Sequence, residues 1–114
     1  MNFKKKRRRF EITNELKELG QNELHFYAYC GTLAGINVFA TVGVDVNKQD
    51  RYGMTPLHYA ALNGKQEAAQ CLLQHGADPR IKNSWGQSVS DIAEWKGHVT
   101  LQHYLQSAIA HYQP

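Results

Sequence analysis

Residues 51–64 read RYGMTPLHYAALNG, a loop-like start, a Thr-Pro-Leu-His run and a terminal glycine in a very short span. Read locally, the stretch is a two-turn helix with its punctuation. Thr55 is an N-cap whose hydroxyl can accept a backbone N–H bond. Pro56 takes the first helical position, where a missing N–H costs nothing. His58, three residues after the cap, can reach back toward Thr55 as a capping-box partner does. Gly64 supplies the left-handed residue that closes the helix. Leu57, Ala60 and Ala61 recur at i, i+3 and i+4, so one face is apolar and mostly small. A helix this short does not persist in water alone. It needs a neighbour.

The neighbour appears when the chain is slid against itself. Gly20, Gly53 and Gly86 are spaced by 33 residues, as are Gly31, Gly64 and Gly97. Gly43 and Gly76, Asp45 and Asp78, Leu24 and Leu57, and His25 and His58 keep the same offset. ELHFYAYCG therefore lies over PLHYAALNG, and VGVDVN over HGADPR. A lattice this regular is a repeat, not a coincidence.

A 33-residue unit with Thr-Pro-Leu-His, a following glycine and then Leu-Leu-x-x-Gly-Ala-Asp resembles the ankyrin repeat. The resemblance covers about residues 17–110 and is strongest over residues 50–79. The first unit is degenerate, with Asn22 and Glu23 where the second has Thr55 and Pro56. The third has Ser88 and Asp91 where the second has Thr55 and His58, and Ser88 can still cap. Gln102 and Gln106 replace the apolar Ala69 and Leu73, which suits a last unit whose outer side meets water. The fold expected is an all-α ankyrin solenoid of helix-turn-helix units with hairpin-like finger loops. Its expected parts are a disordered basic tail (1–9), a leader (10–18), three repeats (about 19–50, 51–83 and 84–110) and a short C-terminal tail (111–114). Residues 10–18 admit two readings. Ile12, Leu16 and Leu19 keep helical spacing, whereas Asn14 matches Asn47 in the repeat register, as a finger would.

Charge is unevenly placed. The chain has 13 Lys and Arg against 10 Asp and Glu. Six of the basic residues are Lys4, Lys5, Lys6, Arg7, Arg8 and Arg9, so residues 10–114 carry seven basic against ten acidic groups, a net charge of −3. The body is mildly acidic, and the basic character belongs to the tail. KKKRRR resembles a monopartite nuclear import signal, read by an importin-type receptor. A nucleic-acid arm, a weak contact for anionic lipid and an inert solvated arm are the other readings. The acidic body speaks against nucleic acid following the repeats themselves. The basic start is followed by EITNELKELG, not an apolar run, so no secretion signal is read there. No apolar stretch approaches a membrane span, and the two cysteines, Cys30 and Cys71, have no bridge-framework spacing. Nucleus or cytoplasm is the expected location.

Catalysis finds little support. The resemblance gives His25 and His58 a capping role with a further bond to neighbouring backbone. His98 follows Gly97 as Lys65 follows Gly64, and His98 and His103 do not share a helical face. His75 and His111 have no companion ligand at a recognisable spacing. No metal or cofactor is expected, and no enzyme.

The resemblance instead implies protein binding through a groove made by the finger tips and the inner helices. In the family, partner-contacting positions flank the finger glycine and close the inner helix. They map to Arg51, Tyr52, Met54, Leu62 and Asn63 in the second unit, and to Ser84, Trp85, Gln87, Trp95 and Lys96 in the third. In the first they are Glu18, Leu19, Gln21, Tyr29 and Cys30. The 33-residue spacing then aligns Tyr29, Leu62 and Trp95 in one row and Leu19, Tyr52 and Trp85 in another. Such rows suit aromatic anchors at an interface. Packing on one another, or self-association, is the alternative use. An adaptor or regulator is the function expected, with a nucleic-acid-associated protein acting through its tail as the other reading.

Overall fold

The computed structural model describes residues 17–114. The import-signal-like cluster Lys4–Arg9 and all of the leader except Lys17 and Glu18 lie outside the described residues. Six helices lie wholly within them: α1 (Glu23–Cys30), α2 (Leu33–Thr41), α3 (Pro56–Leu62), α4 (Gln66–Gln74), α5 (Val89–Trp95) and α6 (Val99–His111). They form three helix-turn-helix units stacked side by side. The inner helices α1, α3 and α5 pack in a row, each backed by its own outer helix, with α2 against α4. The last helix runs through His111, one residue past the boundary expected from the repeat.

The inner helices form where their caps say they should. Thr55 Oγ1 accepts from the His58 N–H (3.3 Å) while His58 Nδ1 accepts from the Thr55 N–H (3.1 Å). Ser88 and Asp91 repeat this reciprocal box at α5, at 3.2 and 2.9 Å. The degenerate first unit is capped too. Asn22 Oδ1 accepts from the Leu24 N–H and His25 Nδ1 from the Asn22 N–H. An asparagine satisfies the same orphan N–H groups that a threonine does, so the fold tolerates the change.

Each histidine does a second job. Its Nδ1 is occupied as an acceptor, so its Nε2 carries the hydrogen and donates to the next unit. His25 reaches the Met54 carbonyl (2.9 Å) and His58 the Gln87 carbonyl (3.1 Å). The third unit has no following partner among the described residues, and Asp91, which only accepts, suffices there.

The core is one apolar seam running through the stack. Leu24, Ala28, Ile36, Leu57, Ala60, Ala61, Leu72, Val89, Ile92, Ala93, Leu101 and Leu105 are all buried. The small alanines let neighbouring inner helices approach closely. Between units the fingers are bonded backbone to backbone: the Arg51 N–H donates to the Leu19 carbonyl (2.8 Å) and the Ser84 N–H to the Tyr52 carbonyl (3.0 Å). Leu19 therefore belongs to the finger row, as the repeat register requires. Lys17 and Glu18 are helical, unlike their equivalents Asp50 and Arg51 in the second finger.

Candidate functional site

The two fingers that bound the groove are tightened by a side chain at their base. Asp50 Oδ1 accepts from the Tyr52 and Met54 N–H groups, each at 2.9 Å. Asn83, the next position in the repeat, does the same for Trp85 (3.0 Å) and Gln87 (2.9 Å). These bonds fix the tips, so the aromatic residues they carry are presented on a rigid base. Tyr52 and Trp85 stack with ring centroids 5.9 Å apart and an interplanar angle of 19°.

Behind this stack lies a cleft of about 360 Å³ lined by Met54, Leu62, Asn83, Trp85, Gln87, Ile92 and Trp95. No lining residue carries a formal charge. The finger supplies Trp85, and the end of α5 supplies Trp95. These indoles are 66% and 69% exposed, high for the largest apolar side chains in the chain. The Lys96 ammonium lies 5.4 Å from the Trp95 ring centroid, a cation–π distance. Gln87 is held by Asn83 Nδ2, which donates to its Oε1 at 3.0 Å.

The structure sorts the expected contact residues into three groups. Leu62, Trp85, Gln87 and Trp95 come together in the cleft, and Tyr52 and Lys96 adjoin it. Met54 lines it as well but is a floor residue, only 7% exposed. The position after the finger glycine turns inward here, because the Met54 N–H is bound to Asp50 and its sulfur lies 3.3 Å from Asn83 Nδ2. Arg51, Asn63, Tyr29 and Leu19 lie toward the first unit instead. The Arg51 guanidinium donates to the Glu18 carbonyl, and Asn63 Nδ2 donates to the Tyr29 carbonyl at 2.8 Å. Tyr29 packs edge-on against Tyr59, and Leu19 is half-buried in the finger row. The two aromatic rows are thus present but interrupted, and of their members Leu62, Trp85 and Trp95 line this cleft.

A polar knot between the first two units escaped the repeat reading. The Tyr59 phenol donates to Asp50 Oδ2, and Gln21 Nε2 donates to Asp50 Oδ2 (3.1 Å) and the Tyr59 oxygen (3.0 Å). Burial by itself would raise the Asp50 carboxyl, but Tyr59, Gln21 and the two amides outweigh it and hold the group below its ordinary value. Burial, with the Asp50 carboxylate beside it, pushes the Tyr59 phenol up. Burial likewise lowers His25 and His58 below the ordinary imidazole value, so both are neutral caps. Among the described residues, no three of His, Cys, Asp and Glu are grouped to hold a metal ion. Cys30 and Cys71 are free thiols, the first exposed and the second buried.

Comparison with known proteins agrees with this geometry. A family model described as ankyrin repeats (3 copies) matches residues 8–111. A Schizosaccharomyces pombe protein named for its ankyrin and IPT/TIG repeats is 36% identical over 84 residues, covering 74% of this chain and 7% of that protein. The human espin-like protein is 41% identical over 58 residues, 51% of this chain and 6% of its own length. A Caenorhabditis elegans homologue of ankyrin repeat and LEM domain-containing protein 1 is 34% identical over 88 residues, or 75% and 12%. The chain thus spans about an eighth or less of these relatives' lengths. With a model covering residues 8–111 and the capped, cross-linked units described above, the chain belongs to the ankyrin-repeat family.

Proposed function

We propose that this chain binds a protein partner through the concave groove, with the Trp85–Trp95 cleft as the anchor site, and that it acts as an adaptor or regulator. Ankyrin repeats are protein-interaction modules, and one observation supports a specific place on this one. An uncharged cleft with two large indoles held open on rigid elements is costly to leave in water and well suited to an inserted apolar side chain. Tyr52, Leu62, Gln87 and Lys96 form its rim, and Arg51, Asn63, Tyr29 and Leu19 would extend the contact along the groove. No catalytic role is assigned to any residue.

The test is quantitative capture from lysate with the wild-type chain and a Leu62→Asp, Trp95→Asp variant of unchanged helicity. A partner lost with the variant would then be purified and titrated, and each anchor truncated to alanine is expected to cost about 2 kcal/mol of binding. Recovery of the same proteins by both chains would remove the cleft from consideration.

Location is a second part of the proposal. The Lys4–Arg9 cluster supports entry to the nucleus through an importin-type receptor. A fluorescent fusion with those six residues changed to alanine should shift to the cytoplasm. The competing use, nucleic-acid binding by the tail, predicts affinity that falls steeply with salt and vanishes with the same six substitutions.

A further inference from the structure

The cleft between Trp85 and Trp95 has a hydrogen-bonding polarity that narrows what can fill it. The acceptors among its side chains, Asn83 Oδ1, Gln87 Oε1 and Met54 Sδ, are all engaged. Asn83 Oδ1 accepts from the Trp85 and Gln87 N–H groups, at 3.0 and 2.9 Å. Those two bonds fix the Asn83 amide, so the atom it turns toward Met54 and Gln87 is the donor Nδ2. Nδ2 lies 3.3 Å from Met54 Sδ and 3.0 Å from Gln87 Oε1. Gln87 therefore presents its oxygen to Asn83, which leaves its Nε2 with hydrogens to donate. Carbonyls of the lining are taken as well. Met54 O accepts from the Asp50 N–H and from His25 Nε2, each at 2.9 Å, and Gln87 O from the Asn83 N–H and His58 Nε2. The side-chain groups left for a ligand are donors. They are Gln87 Nε2 and the indole N–H groups of Trp85 and Trp95, none with a partner among the described residues.

A cation stands at one wall. The Lys96 ammonium, another group that only donates, lies 5.4 Å from the Trp95 ring centroid. Neither acid of α5 offsets it within the cleft. Asp91 holds the Ser88 N–H at 2.9 Å. Glu94 stands at the repeat position of Ala28 and Ala61, which are buried between units, so it faces the end of the stack.

A well-fitted occupant brings apolar surface and acceptors but few donors. An ordinary peptide is a poor match, because each residue carries an N–H that would be stranded beside the indoles. Proline has no N–H and keeps its carbonyl. A run of prolines forms an extended left-handed helix without internal hydrogen bonds, and such segments dock in aromatic-lined grooves. We infer that the partner inserts a proline-rich segment between Trp85 and Trp95, with an acidic residue beside the run to meet Lys96. This rests on the groove proposal and names the occupant of its anchor site.

Trp85 and Trp95 are the chain's two tryptophans, so intrinsic fluorescence of the full chain reports on the cleft itself. The probe is a peptide of eight prolines flanked by glutamates. Its controls are the same peptide with alanine for proline and with lysine for glutamate. The expected result is a saturable spectral change with the first peptide that is lost in Trp95→Ala, a substitution at an exposed side chain that leaves the fold intact. The alanine peptide should bind about tenfold more weakly or worse, the factor that one stranded N–H produces. The lysine peptide should also bind more weakly, with a gap that closes as salt is raised. A proline peptide that binds no better than the alanine peptide, or not at all, overturns the inference. Equal binding of the glutamate and lysine peptides overturns its acidic half. If the proline peptide fails while capture from lysate still depends on Leu62 and Trp95, the groove proposal stands without this occupant. If capture is indifferent to them as well, both fall.

Discussion

His58 Nε2 donates to the carbonyl oxygen of Gln87 at 3.1 Å while its Nδ1 holds the Thr55 N–H at 3.1 Å, so one fully buried imidazole closes a helix cap and ties it to the next finger. His58→Ala leaves the Thr55 N–H without a partner inside the protein and the Gln87 carbonyl with the Asn83 N–H alone. A buried polar group left unsatisfied costs about 1–3 kcal/mol and a further lost hydrogen bond about 1 kcal/mol, so a loss of roughly 2–4 kcal/mol is expected. Asp91→Ala at the equivalent position removes only an exposed cap bond, with an expected cost of about 1 kcal/mol. Urea denaturation of the two variants decides the matter. Equal losses would mean that the inter-unit bond contributes nothing.

The same histidines predict how stability depends on pH. Burial holds His25 and His58 below the ordinary imidazole value of 6.5. The folded chain therefore binds fewer protons than the unfolded chain in the window just below 6.5. Their stabilising effect is complete above that value and declines as pH falls toward the folded-state values. The slope in that window approaches about 1.4 kcal/mol per pH unit for each histidine. Asp50 acts lower down, since its folded-state value lies beneath the ordinary 3.8. Its contribution is present above 3.8 and is lost as pH falls through the folded value. Denaturation midpoints should be flat from about pH 8 to pH 7 and fall distinctly by about pH 5. A midpoint unchanged between pH 7 and pH 5 would contradict this reading.

The fold was legible because its signals are local and repeated. Thr55, Pro56, His58 and Gly64 mark one helix in one stretch, and the 33-residue offset carries the marks to the other units. The candidate cleft was legible only in part. The repeat offset singles out Trp85, Trp95 and Met54, which all line it, but does not show that Met54 is its buried floor. Its inward turn depends on Asp50 and Asn83, which belong to two different fingers. The Gln21–Asp50–Tyr59 knot left no trace either, because it is not periodic. The third unit has Asn83 for Asp50 and Ile92 for Tyr59, so the offset that reveals the repeat conceals this contact. The first unit reads as degenerate because Asn22 stands where Thr55 would, yet the Asn22 side chain still caps α1.

Gly53 and Gly86 separate two costs that usually come together. Both have positive φ, 73° and 75°, which an L side chain adopts at a cost of about 1–2 kcal/mol. A Cβ on Gly86 would meet open space, whereas one on Gly53 would lie 2.7 Å from the backbone nitrogen of Ser84. That nitrogen is fixed by its bond to the Tyr52 carbonyl, so it has little room to yield. Gly86→Ala should show the conformational cost alone. Gly53→Ala should cost more and also disturb the Ser84 amide in an NMR spectrum. If the two variants are equally stable, the finger contact is looser than described.

Tyr59→Phe isolates the knot between the first two units. The phenol donates to Asp50 Oδ2, and its removal leaves the carboxylate with Gln21 and the two finger amides. The lost hydrogen bond to a charged group should cost about 1.5–3 kcal/mol, reduced by whatever water enters beside Gln21. Because that bond favours the ionised form, the Asp50 carboxyl should titrate at higher pH in the variant than in the parent. The acid loss of stability should begin correspondingly earlier. Carboxyl-detected NMR titration of Asp50 in both chains measures the shift directly. A downward shift, or none, would show that Tyr59 is a packing residue whose hydroxyl does not hold Asp50 in its charged state.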